Sequence, residues 1–312
     1  MVTGGADAPT ASGPGRLRHG TARDLVLGLT VVLAGGGRVR CGGRVIKNVS
    51  GYDLNKLFIG SLGTLGVISE ATFKLLPAPA ARAAVAGLFP GLAGAAAAVA
   101  RLLRSSLLPE SVDLLDARTM ARLGAGLGLA GTGYGLVVGV AGSPETVERQ
   151  ACDLEWLMAE GGAGEVRSLR EAPARAAGAL VREALEGGAG RIRVKLGVPI
   201  GDTGRLFAAA EALGERRGWS TGVMAHAGSG ILRATYGTGE APPEAVADAL
   251  EALRGEAEAL EGSLVVEAAP PAVKSRLDPW GKPGDALAVM RRLKAEFDPA
   301  SLLNPGRFLG GI

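Results

Sequence analysis

Apolar runs in this chain alternate with glycine and proline punctuation, and their period changes once, near residue 78. Leu25–Leu33 is almost wholly apolar and rich in β-branched residues, which predicts a buried strand. Gly35-Gly36-Gly37 predicts a turn, and Arg38–Cys41 the start of the returning strand. Asp53–Phe58 predicts a short helix with Asp53 at its N-cap. Val67–Leu76 predicts the next buried strand, closed by Pro77 and Pro79. Residues 1–20 are polar and rich in glycine and proline, a loop pattern.

Beyond the proline pair, short β-rich runs alternate with long alanine-rich amphipathic ones. Ala84–Leu88, Ser111–Leu115, Tyr134–Val140, Arg191–Val198, Thr221–Ala225, Ile231–Tyr236 and Leu264–Glu267 predict strands. Ala95–Arg104, Glu145–Glu160, Arg205–Arg217 and Glu244–Glu261 predict helices, the second opened by Ser143 as cap and Pro144 in its first turn. Strands separated by surface helices predict an α+β, ferredoxin-like sheet covered on one side. After Asp278-Pro279-Trp280-Gly281 a last helix is expected over Asp285–Phe297. The sequence shows no internal repeat.

At 312 residues the chain has room for two domains with real cores, and 47% hydrophobic residues argue against global disorder. The net charge is only +3, and no basic stripe interleaves with aromatics, so a nucleic-acid partner is not expected. Two cysteines, Cys41 and Cys152, without a CxxC pair argue against a disulfide scaffold and against an iron–sulfur cluster carried on this chain. The most apolar region, around Leu88–Leu103, contains Pro90 and falls short of the roughly 20 residues a bilayer span needs. The N-terminus lacks a signal-peptide pattern. A cytoplasmic protein is expected, meeting a membrane only through a partner.

Chemistry concentrates in residues 44–77. Lys47-Asn48-Val49-Ser50-Gly51-Tyr52-Asp53 leads into Gly60-Ser61-Leu62-Gly63-Thr64-Leu65-Gly66 and then into a strand. Glycines around one turn leave main-chain groups uncovered, so a flat or phosphorylated ligand can lie against them. The bland alternative is a tight turn. Asn304-Pro305-Gly306-Arg307 is either a terminal turn or a ligand contact, since an amide donates and accepts at once. No Ser-His-Asp, Cys-His or paired-carboxylate constellation stands out. No catalytic residue is assigned.

Residues 44–77, 293–311 and 12–29 together resemble the vanillyl-alcohol-oxidase, or PCMH-type, FAD-binding flavoproteins. Within that superfamily they are most similar to the FAD-binding accessory (E-type) subunits of glycolate oxidases. The resemblance implies three segments. Residues 1–80 would form the second half of a PCMH-type FAD-binding domain, 81–280 a ferredoxin-like α+β cap domain, and 281–312 a return to the first domain. It implies FAD as cofactor, held by Asn48, Gly51, Tyr52, Asp53, Gly63, Thr64, Gly66, Val67, Ile68, Asn304 and Arg307. Tyr52 and Asp53 would order the loop rather than perform chemistry. Arg23-Asp24 and Ser12-Gly13-Pro14 would border the cofactor, or else form a surface pair and a surface turn. The implied partners are a catalytic flavoprotein subunit and an iron–sulfur subunit, with a small 2-hydroxy acid as the oxidised substrate.

Two departures from the family pattern shape the functional expectation. His226 matches the first histidine of a metal-site segment, but Arg233 stands where the second belongs, and Glu267 is followed by Ala268 where a histidine is expected. A divalent ion needs several ligands together, so no metal site is expected. The resemblance matches Gly4-Gly5 to a glycine pair near the end of the family's earlier half-domain, which is on the order of one hundred residues and carries the pyrophosphate loop, and that loop is not in this sequence. Either the start is assigned too late, which the buried character of the two predicted strands favours, or the chain is a fragment. Three functions follow from the resemblance: a redox subunit relaying electrons, a non-catalytic assembly subunit, or an independent FAD-dependent hydroxy-acid oxidase.

Overall fold

The computed structural model describes residues 13–46, 51–185 and 192–312. They divide into two compact units, one formed by residues up to Ala78 together with Lys282–Ile312, the other by Pro79–Gly281.

The first unit is built on a small antiparallel sheet. Short helices α1 (Arg16–His19) and α2 (Ala22–Leu25) precede strand β1 (Val26–Val32), which runs between β2 (Arg38–Gly42) and β3 (Val67–Phe73). Helix α3 (Asn55–Phe58) lies between β2 and β3 in the chain. Val31 faces Val39 on one side and Ile68 on the other. Val26, Leu29, Val31, Cys41, Phe58, Ile59 and Leu65 form the core, and Phe297 of the C-terminal helix (Leu287–Phe297) closes it. The rings of Phe58 and Phe297 meet edge to face, 5.5 Å between centroids.

Three local expectations change here. The segment expected as loop contains α1, and Asp24 in α2 turns back to accept from the Thr21 N–H (2.7 Å) and hydroxyl (2.8 Å). Leu54, not Asp53, occupies the N-cap of α3, while Asp53 accepts from the Asn55 N–H two residues on. Strand β3 is largely exposed rather than buried, and it ends at Phe73. It is an edge strand with Ser69 and Glu70 at its middle, and among the described residues of this sheet β1 alone has a neighbour on both sides.

The second unit is one eight-stranded antiparallel sheet. In chain order its elements are β4 (Ala81–Phe89), α4 (Leu92–Leu103), β5 (Ser111–Leu115), α5 (Ala117–Leu123), β6 (Tyr134–Gly142), α6 (Pro144–Glu160), β7 (Glu165–Arg170) and α7 (Ala172–Glu183). There follow β8 (Ile192–Gly197), α8 (Thr203–Arg217), β9 (Ser220–His226), β10 (Ile231–Gly237), α9 (Pro243–Glu258) and β11 (Ser263–Ala268). The Ser143 side chain caps α6 by accepting from the Thr146 N–H, with Pro144 at the first position.

The strand order β11-β8-β10-β9-β5-β6-β4-β7 contains a repeat the sequence does not display. From β4 to β7 and from β8 to β11 the chain twice follows a ferredoxin-like β-α-β-β-α-β path. The two copies join side by side through their second strands, β5 and β9. Such a path requires only strand and helix periods with right-handed crossovers, so residue identity can drift while the topology persists.

The expected one-sided cover is also corrected. Strand β4 is apolar on both faces: Gly87 lies beneath Met158 of α6, whereas Ala84, Ala86 and Leu88 pack with Met120 of α5 and Ala177 and Val181 of α7. Two apolar faces need two layers of helix. The second layer comes from α5 and α7, which together with β7 have no counterpart in the sequence reading.

Candidate functional site

In the first unit the glycine loop 60–66 follows α3 and is buried from Ser61 to Gly66. Thr64 folds the turn on itself, its N–H (3.0 Å) and hydroxyl (2.7 Å) both donating to the Ser61 carbonyl. Leu62 and Gly63 adopt left-handed backbone, φ 55° and 73°, which glycine accommodates without strain. Gly66 is glycine for packing, because a Cβ there would lie 2.4 Å from Val31 Cγ1.

The C-terminal segment grips this loop. Lys294, on the C-terminal helix, donates from Nζ to the Thr64 carbonyl (2.8 Å), the Leu303 carbonyl (2.8 Å) and Asp298 Oδ2 (2.5 Å). Asp298 also accepts from the N–H groups of Leu302 (2.9 Å) and Leu303 (2.8 Å). Burial raises the Asp298 carboxyl, but the Lys294 ammonium and those two amides outweigh it and hold the group below the usual carboxylate range. Asn304, itself at φ 43°, donates from Nδ2 to the Leu62 carbonyl at 2.7 Å.

The expected site residues separate into two groups. Gly63, Thr64, Gly66 and Asn304 come together, with Val67 and Ile68 continuing from them into β3. Val67 is exposed and Ile68 partly buried. Gly51, Tyr52 and Asp53 occupy an exposed segment before α3, where Tyr52 is 95% exposed and Asp53 pairs with Lys56. The Arg307 N–H closes a turn on the Asn304 carbonyl, and its side chain is exposed. Asn48 and Ser12 lie outside the described residues. Lys294 and Asp298 were not singled out; their only sequence signal is a Lys/Asp pair four apart at the end of a helix, a spacing that usually marks a surface pair.

A flavin has acceptor atoms on one edge of an otherwise apolar ring system, and the loop suits it. Among the described residues no hydrogen bond uses the amides of Leu62, Gly63, Leu65 or Gly66, although all four residues are buried. Unpaired buried N–H groups are rare and mark a place for an acceptor. Exposed Val67 offers apolar surface beside them.

The second unit has its own polar site. Register pairs Asp113 of β5 with His226 of β9 at the seam between the two repeats, and His226 Nδ1 lies 2.6 Å from Asp113 Oδ1, both buried. On the same sheet, Arg193 (β8), Arg233 (β10) and Arg182 (α7) line a cavity of about 30 Å³ with Thr235, Met224 and Glu267. Glu267 has Oε1 buried without a hydrogen bond. The guanidinium groups make this cavity electropositive, and its volume is that of about one water molecule. Among the described residues no group of three or more His, Cys, Asp or Glu side chains gathers as a metal site would need. No helix among them is long and apolar enough to cross a membrane.

The family described as "FAD linked oxidases, C-terminal domain" matches residues 78–308. Glycolate oxidase subunit GlcD of Bacillus subtilis is 31% identical over 306 residues, covering 93% of this chain and 64% of that protein. Glycolate oxidase subunit GlcE of Escherichia coli is 47% identical over 78 residues, 25% of this chain and 22% of that one. The chain therefore spans a little under two thirds of its long-range relative. Among solved structures, p-cresol methylhydroxylase with substrate bound superposes with a TM-score of 0.65 at 18% identity, over 96% of this chain and 70% of that one. This supports the PCMH-type fold.

Proposed function

The chain belongs to the FAD-linked oxidase family, and we propose that it is the FAD-binding subunit of a glycolate-oxidase or glycolate-dehydrogenase type complex. In that complex a 2-hydroxy acid is oxidised to the 2-oxo acid through flavin. One observation carries the proposal: a buried glycine loop leaves the amides of Leu62, Gly63, Leu65 and Gly66 without a hydrogen bond among the described residues, while a buried lysine and an asparagine hold the carbonyls of Leu62 and Thr64. The short, strong likeness to GlcE and the longer one to GlcD support a place among such subunits. The partners are then a catalytic flavoprotein and an iron–sulfur subunit that takes the electrons on, since the two cysteines of this chain, Cys41 buried and Cys152 exposed, do not suffice to hold a cluster. Contact with a membrane would be through those partners, with the protein in the cytoplasm.

Bound FAD supplies the two-electron acceptor. The chain's residues then have defined tasks. Gly63 and Leu65 donate to the cofactor, Val67 packs beside it, and Thr64 and Asn304 keep the loop closed. The test is the visible absorption of the purified protein after FAD is added and unbound FAD removed. Retained flavin bands support the reading. Their absence, with a complex still formed, would leave an assembly subunit instead.

The polar site of the second unit favours a second reading, in which the chain oxidises a hydroxy acid itself. Arg193 would hold the carboxylate. Oxidation removes a hydride from C2 and a proton from the hydroxyl, and His226, held at Nδ1 by Asp113, would take that proton at its other ring nitrogen. Turnover of glycolate by the isolated, FAD-loaded protein, lost in His226→Ala, would establish this reading and displace the relay role.

A further inference from the structure

The two grips on the glycine loop act on alternate carbonyls, and this has a geometric consequence. A peptide unit is planar, and in the trans form its C=O and the following N–H point in opposite directions. The described chain has no cis peptide bonds. The Leu62 carbonyl shares a peptide plane with the Gly63 N–H, and the Thr64 carbonyl with the Leu65 N–H. Asn304 Nδ2 holds the first carbonyl at 2.7 Å and Lys294 Nζ the second at 2.8 Å. Each grip therefore sets the direction of the amide on the far side of its plane.

We infer that Lys294 and Asn304 are positioning residues that present the Gly63 and Leu65 amides as a paired donor site for the acceptor edge of the flavin. Lys294 is suited to this because its other two donors are taken by Asp298 and the Leu303 carbonyl, so the ammonium is fixed from three directions. The neighbouring Thr64 amide is turned inward to Ser61 and does not compete. The inference rests on the reading that this chain binds FAD, and it adds what aims the two donating amides and which edge of the ring they meet.

The experiment is residue-resolved amide exchange on the full chain, with and without FAD. In the wild type, FAD is expected to slow exchange at Gly63 and Leu65 by about tenfold or more, the scale of one well-made hydrogen bond. Asn304→Asp keeps the size and the tolerance for left-handed backbone but replaces the donor amide by an acceptor. It should abolish the slowing at Gly63, retain it at Leu65, and weaken FAD binding about tenfold. Lys294→Met should do the reverse, and Lys294→Arg, which keeps a donor, should restore protection at Leu65. If Lys294→Met also loosens β1, exposed Asn304 decides the matter alone. FAD uptake with unchanged exchange at both amides, or Asn304→Asp with undiminished protection at Gly63, overturns the inference and leaves FAD binding standing. Failure of the wild type to take up FAD overturns both.

Discussion

Glu211 is placed where removing its charge should make the protein more stable, and only above a definite pH. It lies on α8, half-buried, and accepts from the Tyr134 hydroxyl at 3.1 Å, joining a strand of the first repeat to a helix of the second. Burial is the main reason its carboxyl is pushed up to about 7 from the ordinary 4.5, with Asp116 and Glu215 adding repulsion and the Tyr134 bond working the other way. The same burial, with the charge of Glu211, pushes the Tyr134 hydroxyl up to about 12. A carboxyl raised on folding binds more protons folded than unfolded, so stability falls as pH rises between those two values and is flat outside them. The full gap corresponds to about 3 kcal/mol, and solvent screening at a half-buried group reduces this to about 2. Glu211→Gln keeps an acceptor for Tyr134 and cannot ionise. All three tryptophans, Trp156, Trp219 and Trp280, lie in the second unit, so their fluorescence reports its unfolding. Denaturant melts of both proteins should coincide near pH 4.5 and diverge by about 2 kcal/mol in favour of the variant at pH 8. A difference independent of pH, or a variant less stable at pH 8, would refute the argument.

Other substitutions test the site directly. Lys294→Met strands the Asp298 carboxylate in a buried place and should cost about 3–5 kcal/mol in urea unfolding, whereas Lys294→Met combined with Asp298→Leu should recover much of it. Gly66→Ala drives a methyl into Val31 and should cost about 1–3 kcal/mol and lower FAD retention; an unchanged melt would mean β1 yields more easily than its packing suggests. On acidification the Asp298 contribution, present above the ordinary carboxylate value, should be lost as pH falls through the group's lowered value, and Asp298→Asn should flatten that part of the stability profile. Asp113→Asn should leave FAD retention intact while abolishing any hydroxy-acid turnover the isolated chain shows; undiminished turnover would exclude His226 as the base.

How much of this was legible in the sequence follows the range of each interaction. Most strands and helices of residues 81–268 were read to within about three residues at each end, because their apolar period reflects burial against near neighbours. Strand β7 and helix α7 were missed for a local reason. Glu165–Arg170 carries charges at both ends, and the buried stripe of α7, Ala174, Ala177 and Val181, is made mostly of alanines that do not stand out in an alanine-rich chain. The doubled ferredoxin-like path was invisible because topology leaves no mark on composition. At the site, the glycines of the loop and Asn304 could be singled out as residues with special backbone or amide chemistry. Their partnership could not, because the bonds from Asn304 to Leu62 and from Lys294 to Thr64 each span more than two hundred residues. Lys294 is the instructive case. On a helix it reads as one more solvated cation, yet the fold buries it with a carboxylate and two carbonyls, and a charge is kept in such a place only when every donor is met. The same holds across the seam of the second unit, where Asp113 and His226 lie far apart in the chain and become one buried pair only because two repeats meet at β5 and β9. Local pattern specified the elements, and the candidate chemistry arises where elements distant in sequence close on one another.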